Sequence, residues 1–191
     1  MLAYLVLVLA VLSRILPHAF HSDALNFPAL GGGLLFFGSR MNRDSGKWTA
    51  AVAAKLASAL LVLMAADYYL TVRIYQYPFE LRGYAVTWVW YAAVCLFGMG
   101  LLRKPSVLRV AGGALAASTS FFLLSNFMVW AAGTMYPRTL AGLGACYTAG
   151  IPFYRNDLAS TVITASAVFG LPVLAAKIAE TLHAQNDLPL A

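Results

Sequence analysis

Long apolar runs alternate with short polar segments along this chain. When each run is compared with the roughly 20 residues that cross a hydrocarbon layer, the pattern predicts six membrane-spanning helices, with five as the alternative. Their approximate bounds are 1–16, 28–39, 48–69, 84–102, 107–132 and 158–178. The predicted fold class is therefore an all-α, polytopic membrane helical bundle, with residues 1–191 forming a single integral membrane domain.

The second run is short and unusual in composition. It reads NFPALGGGLLFFG, with Pro28 near its start and three consecutive glycines after it. Irregular or broken helices are tolerated at membrane depth only where protein surrounds them. We therefore expect segment 28–39 to be a short, broken, tilted or re-entrant helix that its neighbours bury.

The segment 133–157 is apolar but repeatedly interrupted by helix-disfavouring residues, namely Gly142, Gly144, Gly150 and Pro152. This pattern predicts a short amphipathic helix followed by a turn, lying over the outer face of the bundle as a cap. The rings of Tyr147, Phe153 and Tyr154 would then be available to stack on a planar ligand. An interfacial segment without any ligand is the alternative.

Composition excludes a water-soluble fold. Apolar residues make up 61% of the chain and charged residues 10%, against about a quarter charged in soluble domains. The net charge of +6 does not indicate nucleic acid, because the basic residues flank apolar runs, where they orient the helices during insertion.

The distribution of basic residues predicts the orientation. One side receives Arg40, Arg43, Lys47, Arg103, Lys104, Arg109 and Lys177; the other receives Arg14, Arg73, Arg82, Arg138 and Arg155. The bias predicts a multi-pass membrane protein with both termini in the cytoplasm. Segments 17–27, 70–83 and 133–157 would face outward.

Polar and aromatic groups collect toward the predicted outer side, where they could line one cavity. The predicted ligand-binding residues are His18, Asn26, Asp67, Asn126, Trp130, Tyr147, Arg155 and Asn156. Asn126 lies inside an apolar run, so its amide must face protein or a cavity. It is either an interhelical hydrogen-bonding group or a ligand contact.

Metal and catalytic chemistry have weak support in the sequence. His18 and His21, with Asp23 nearby, have a spacing that suits a metal or pH-sensitive site, but histidines with ordinary hydrogen bonds are commoner. Cys146 is either an axial thiolate or a packed, inert thiol. We predict no metal and no cofactor, and the absence of GxSxG, HExxH, P-loop and paired CxxC motifs favours a protein that is not an enzyme.

Small residues recur at a spacing of four, which places them on one helical face. The pairs are Ala53 with Ala57, Gly112 with Ala116, and Gly113 with Ala117. They indicate either close packing within the bundle or a docking face for a partner membrane subunit.

Two stretches resemble a bacterial family of uncharacterised membrane proteins: RILPH...NFPALGGGLLFFG, from Arg14 to Gly38, and SNFMVWA...MYPRTLAGLGACYTAGIPFYRN, from Ser125 to Asn156. The architecture is also similar to that of the substrate-binding subunits of energy-coupling-factor vitamin transporters. That similarity implies an integral subunit that captures a vitamin or its precursor from outside and docks on an ATPase module. Because this chain has no Walker motif, partners would have to supply ATP-driven work.

Three hypotheses for function follow. The first is a membrane protein that binds or transports a small, vitamin-like organic solute in an outward-facing cavity, with the lipid bilayer and the solute as its partners. The second is a non-transporting scaffold or a subunit of a hetero-complex. The third is a membrane enzyme that uses His18 or His21 as an acid or base.

Overall fold

The computed structural model describes residues 1–19, 27–42 and 48–186. In these ranges the chain forms six helices and no strand: α1 Leu2–Ala19, α2 Leu30–Met41, α3 Ala50–Tyr69, α4 Leu81–Leu101, α5 Val107–Ala132 and α6 Leu140–Asn186. A π-helical turn, Leu70–Ile74, continues α3. The predicted all-α helical bundle with a short second helix is confirmed.

Four of the helical segments are long and apolar enough to cross a membrane. They are Ala50–Ile74, Leu81–Leu101, Val107–Ala132 and Leu140–Thr181. The apolar part of α1, Leu2–Ile15, is shorter. The protein is therefore a multi-pass membrane protein.

Side-chain caps stabilise the first turns of α3 and α5. The hydroxyl of Thr49 accepts a hydrogen bond from the backbone N–H of Val52, and the hydroxyl of Ser106 accepts one from Arg109, so both residues satisfy N–H groups that the helix leaves unpaired. Lys55 acts at the other end of a helix, where its Nζ donates to the carbonyl of Met41 at 3.0 Å. Its cation thus lies at the negative end of α2.

Helix α2 lies at the centre of the bundle. It has 12 residues, which gives a length of about 18 Å, too short to cross about 30 Å of hydrocarbon. Eleven of those residues are buried, and Leu34 and Leu35 have no exposed surface. The expectation that this short helix is buried by its neighbours is therefore correct.

Glycines allow α2 to contact its neighbours at backbone distance. A Cβ on Gly32 would lie 2.8 Å from the backbone nitrogen of Ala165 in α6. At a second contact, a Cβ on Gly98 of α4 would lie 2.5 Å from the carbonyl oxygen of Leu35 in α2. Because neither site has room for a methyl group, glycine is what allows the three helices to pack this closely.

Helix α6 differs from the sequence prediction. It is continuous over 47 residues, about 70 Å, although it contains Pro152 and Pro172. The turn predicted within 133–157 is therefore wrong, because Gly142, Gly144, Gly150 and Pro152 are all accommodated in the helix. Packing against α5 supports this part of α6, and neighbouring helices commonly compensate for proline and glycine in membrane helices. The location of this segment at the outer face stays a prediction.

Candidate functional site

A buried ion pair joins α1 to α3. Nη1 of Arg14 lies 2.8 Å from Oδ1 of Asp67, whose side chain is fully buried, while the Arg14 side chain keeps 24% of its surface exposed. A buried carboxylate is costly unless a cation and hydrogen bonds compensate for its lost hydration. The arrangement therefore fixes the end of α1 against α3.

Two aromatic residues of α4 complete the surroundings of this carboxylate. The indole Nε1 of Trp88 donates to Oδ2 of Asp67 at 3.0 Å, and the hydroxyl of Tyr91 donates to Oδ1 at 3.3 Å. Arg14 also donates to the Tyr91 hydroxyl at 3.2 Å. Both carboxylate oxygens are thus engaged by the protein, so the polar network ties together α1, α3 and α4.

A cavity of about 370 Å³ lies beside this network, between the end of α1, the start of α2, and the middle of α4, α5 and α6. Its volume falls in the range of small-molecule sites. Its polar lining consists of Arg14, Tyr91, Ser118, Ser125, Asn126, Tyr154, Asn156 and Asp157. Phe153 and Asn156, which are exposed, place the opening of the cavity at α6.

Asn126 of α5 is held at the cavity by α6. Its Nδ2 donates to the carbonyl of Phe122 at 2.8 Å, within its own helix. Its side chain packs against Gly150, where a Cβ would lie 2.6 Å from Oδ1. The thiol of Cys146 donates to the Asn126 carbonyl at 3.3 Å. Gly150 thus lets α6 approach closely enough to fix the direction of this amide.

Aromatic rings form much of the cavity wall, and hydrogen bonds fix several of them. Trp90 donates to the Ser120 hydroxyl at 2.9 Å, and its ring centroid lies 4.7 Å from that of Phe121. The Tyr154 hydroxyl is hydrogen-bonded to Thr119 at 2.9 Å, with its ring 4.8 Å from that of Phe122. Contacts within the protein therefore position these rings without a ligand.

The two charged residues of the cavity have different surroundings. Arg14 is paired with Asp67, so its charge is compensated by protein. Asp157 of α6 is partly buried and lines the same cavity as Ser118 of α5, whose buried hydroxyl has no hydrogen-bond partner in the part of the chain that the structure describes. Among the described residues, no basic side chain lies within ion-pair distance of Asp157. Arg14, Asp67 and Asp157 together carry one net negative charge, and the ion pair leaves Asp157 as the uncompensated group among these three.

The structure brings together some of the predicted ligand-binding residues. Asn126 and Asn156 line the cavity, and Asp67 lies behind the wall, in contact with Arg14 and Tyr91. For these three residues, ligand binding stays a prediction.

Other predicted residues lie outside the lining of this cavity. The indole of Trp130 donates to the Pro137 carbonyl at 2.9 Å, beside the connection between α5 and α6. The hydroxyl of Tyr147 donates to the Leu123 carbonyl at 2.9 Å, and Arg155 is exposed on α6. Their role in ligand binding is also untested.

The histidine cluster falls largely outside what the structure describes. The backbone of His18 belongs to α1, but its side chain lies outside the described residues, as do Asn26, His21 and Asp23. Within the described part of the chain, no three His, Cys, Asp or Glu side chains are close enough to hold a metal ion. For Cys146, the geometry favours the packed thiol, because it is buried and donates to a backbone carbonyl.

Sequence reasoning did not select Arg14, Tyr91, Ser118 or Asp157 as site residues. Arg14 and Asp157 do belong to the polar groups that the sequence places on the outer side, where they could line one cavity, but neither is among the predicted ligand-binding residues. An available signal was the position of Arg14 and Asp67, since both are charged residues at the ends of apolar runs on the same predicted side. Intramembrane charges usually face the bundle and pair with one another.

A central buried helix, an internal ion pair and a polar cavity among apolar helices define a polytopic membrane protein with an internal candidate binding site. The chain belongs to a family of unknown function (DUF6580), whose model matches residues 1–182. No curated protein and no solved structure matches the chain.

Proposed function

We propose that this protein binds a small organic solute in the cavity between α1, α2, α4, α5 and α6, and that it presents or transports that solute across the membrane. The cavity itself carries the proposal: it combines a volume of about 370 Å³ with aromatic walls and several polar groups. Asn126 and Asn156 are the proposed hydrogen-bonding residues.

The proposal includes the orientation of the protein. Since Arg14 is neutralised inside the bundle, four basic residues remain on the predicted outer side, Arg73, Arg82, Arg138 and Arg155, against seven on the other. This asymmetry supports cytoplasmic termini in a bacterial inner membrane and a cavity in the outer half. The resemblance to vitamin transporters suggests two more specific forms of this proposal. The solute would be vitamin-like, and the protein would dock on a separate ATPase module.

Native mass spectrometry of the full chain, released from lipid nanodiscs, tests solute binding. We expect a small molecule to co-purify with the wild-type protein. Asn126→Ala should weaken its retention about tenfold, because it removes a hydrogen-bonding amide worth roughly 1–1.5 kcal/mol at the cavity. Thr148→Ala is the matched control, since Thr148 is exposed on α6 and bonds within its own helix.

Two results would oppose the proposal. One is a wild-type protein that carries no small molecule and binds none from a metabolite extract. The other is equal retention by the Asn126 variant and the Thr148 control, which would move the ligand away from this cavity.

A scaffold role is the second candidate, and one observation favours it. Gly112 and Ala116 expose a small-residue face on α5, whereas Gly113 and Ala117 of the same helix are buried in the bundle. Such a face allows close approach of another membrane helix. Replacement of Gly112 by isoleucine should then release a co-purifying membrane protein without affecting solute retention.

A further inference from the structure

We infer that the solute recognised by this cavity is an organic cation, with its positive group beside Asp157 and its apolar part between the aromatic rings. This inference rests on the proposed function and specifies the ligand class.

The first argument is the balance of charge. Arg14 is the basic residue in the lining, and its guanidinium already has a partner in Asp67 at 2.8 Å. Asp157 also lines the cavity, and among the described residues no basic side chain lies within ion-pair distance of it. A carboxylate removed from water is stabilised by a cation, so an ammonium group on the ligand would supply what the described protein does not.

The second argument is the nature of the wall. Six aromatic residues line the cavity: Trp90, Tyr91, Phe121, Phe122, Phe153 and Tyr154. The faces of aromatic rings attract cations, most strongly where water is excluded, and groups of rings recognise ammonium ligands. An anionic ligand would meet both the negative faces of the rings and the Asp157 carboxylate.

The third argument is that Arg14 does not reverse the preference for a cation. Its Nη1 is occupied by Asp67 and Tyr91, although part of the side chain remains exposed. Its remaining N–H groups suit a neutral acceptor on the ligand, such as a hydroxyl or carbonyl oxygen. A cation that carries such an acceptor would contact both Asp157 and Arg14.

Binding of matched probes to the full chain in nanodiscs tests the inference. Choline and phenethylammonium are the cations, dimethylbutanol and phenylpropanol are uncharged probes of similar shape, and dimethylbutanoate and phenylpropanoate are the corresponding anions. At least one cation should bind about tenfold more tightly than its uncharged counterpart, as expected for a charge-assisted contact. Isothermal titration calorimetry, or displacement of a co-purified molecule, gives the affinities.

Asp157→Asn should remove this preference for the cation and leave the affinity for the uncharged probe unchanged within about twofold, because the side chains are similar in shape and differ in charge. Glu180→Gln is the matched control, since it removes one carboxylate from an exposed position of the same helix. The comparison within wild-type protein does not depend on whether the Asp157 variant folds.

The outcomes separate this inference from the function on which it rests. Tighter binding of uncharged or anionic probes, or a co-purified molecule that carries no positive charge, would overturn the cation assignment and leave solute binding intact. Failure of all six probes together with an empty wild-type protein would overturn both.

Discussion

The centre of the bundle is closely packed, whereas the cavity beside it is open. Around α2, glycines bring backbones into contact, and side chains such as Leu34 and Leu35 have no exposed surface. In the cavity, the neighbouring parts of α5 and α6 instead leave about 370 Å³ between polar and aromatic groups. The same bundle therefore packs closely around α2 and leaves open space beside it, where polar and aromatic groups meet.

The largest expected effect concerns the ion pair between these regions. Asp67→Asn should destabilise the protein by roughly 3–5 kcal/mol, because Arg14 would lose its counter-charge in a buried setting. The free energy of unfolding in mixed detergent micelles measures this loss.

Removal of both charges is the control for that experiment. The double variant Arg14→Gln with Asp67→Asn should recover about half or more of the lost stability, because no unpaired charge remains. If Asp67→Asn alone were as stable as the wild type, the ion pair would not hold α1 to α3.

The next effect tests the close packing around α2. Gly98→Ala should cost about 1–3 kcal/mol, because the added methyl group would lie 2.5 Å from the Leu35 carbonyl oxygen. Gly100→Ala is the control two residues along the same helix, since a Cβ there meets nothing within 4 Å. Equal unfolding free energies for the two variants would contradict the contact between α2 and α4.

The smallest effect on stability is expected in the cavity. Ser125→Phe should change the free energy of unfolding by less than about 1 kcal/mol, because the ring enters existing space and avoids the usual cost of overpacking. The same change should reduce solute binding at least about tenfold, as it fills the proposed site. A large loss of stability would show that the cavity is closed in the folded protein.

The order and type of the helices could be predicted because apolar runs of sufficient length have few alternatives in a membrane. The burial of α2 followed from its three glycines and short length. The course of α6 could not be predicted in this way, since Gly150 and Pro152 favour a turn in isolation. Gly150 instead permits contact with Asn126 of α5, so the course of α6 depends on its packing against another helix.

Only part of the candidate site could be predicted from the sequence. Asn126 stood out because an amide in an apolar helix needs a polar or enclosed environment. The sequence did not indicate which charges pair. The packing of α1 against α3 shows that Asp67 compensates the charge of Arg14. Asp157 of α6 instead lines the cavity. Pairing across helices depends on their relative rotation, which apolar patterns determine poorly.

The most direct test of solute binding is native mass spectrometry of wild-type protein and the Ser125→Phe variant, prepared side by side in nanodiscs. We predict a co-purifying small molecule on the wild-type chain and its loss from the equally stable variant. Retention of the same molecule by the filled variant, or an empty wild-type chain that takes up nothing from a metabolite extract, would contradict a binding site in this cavity.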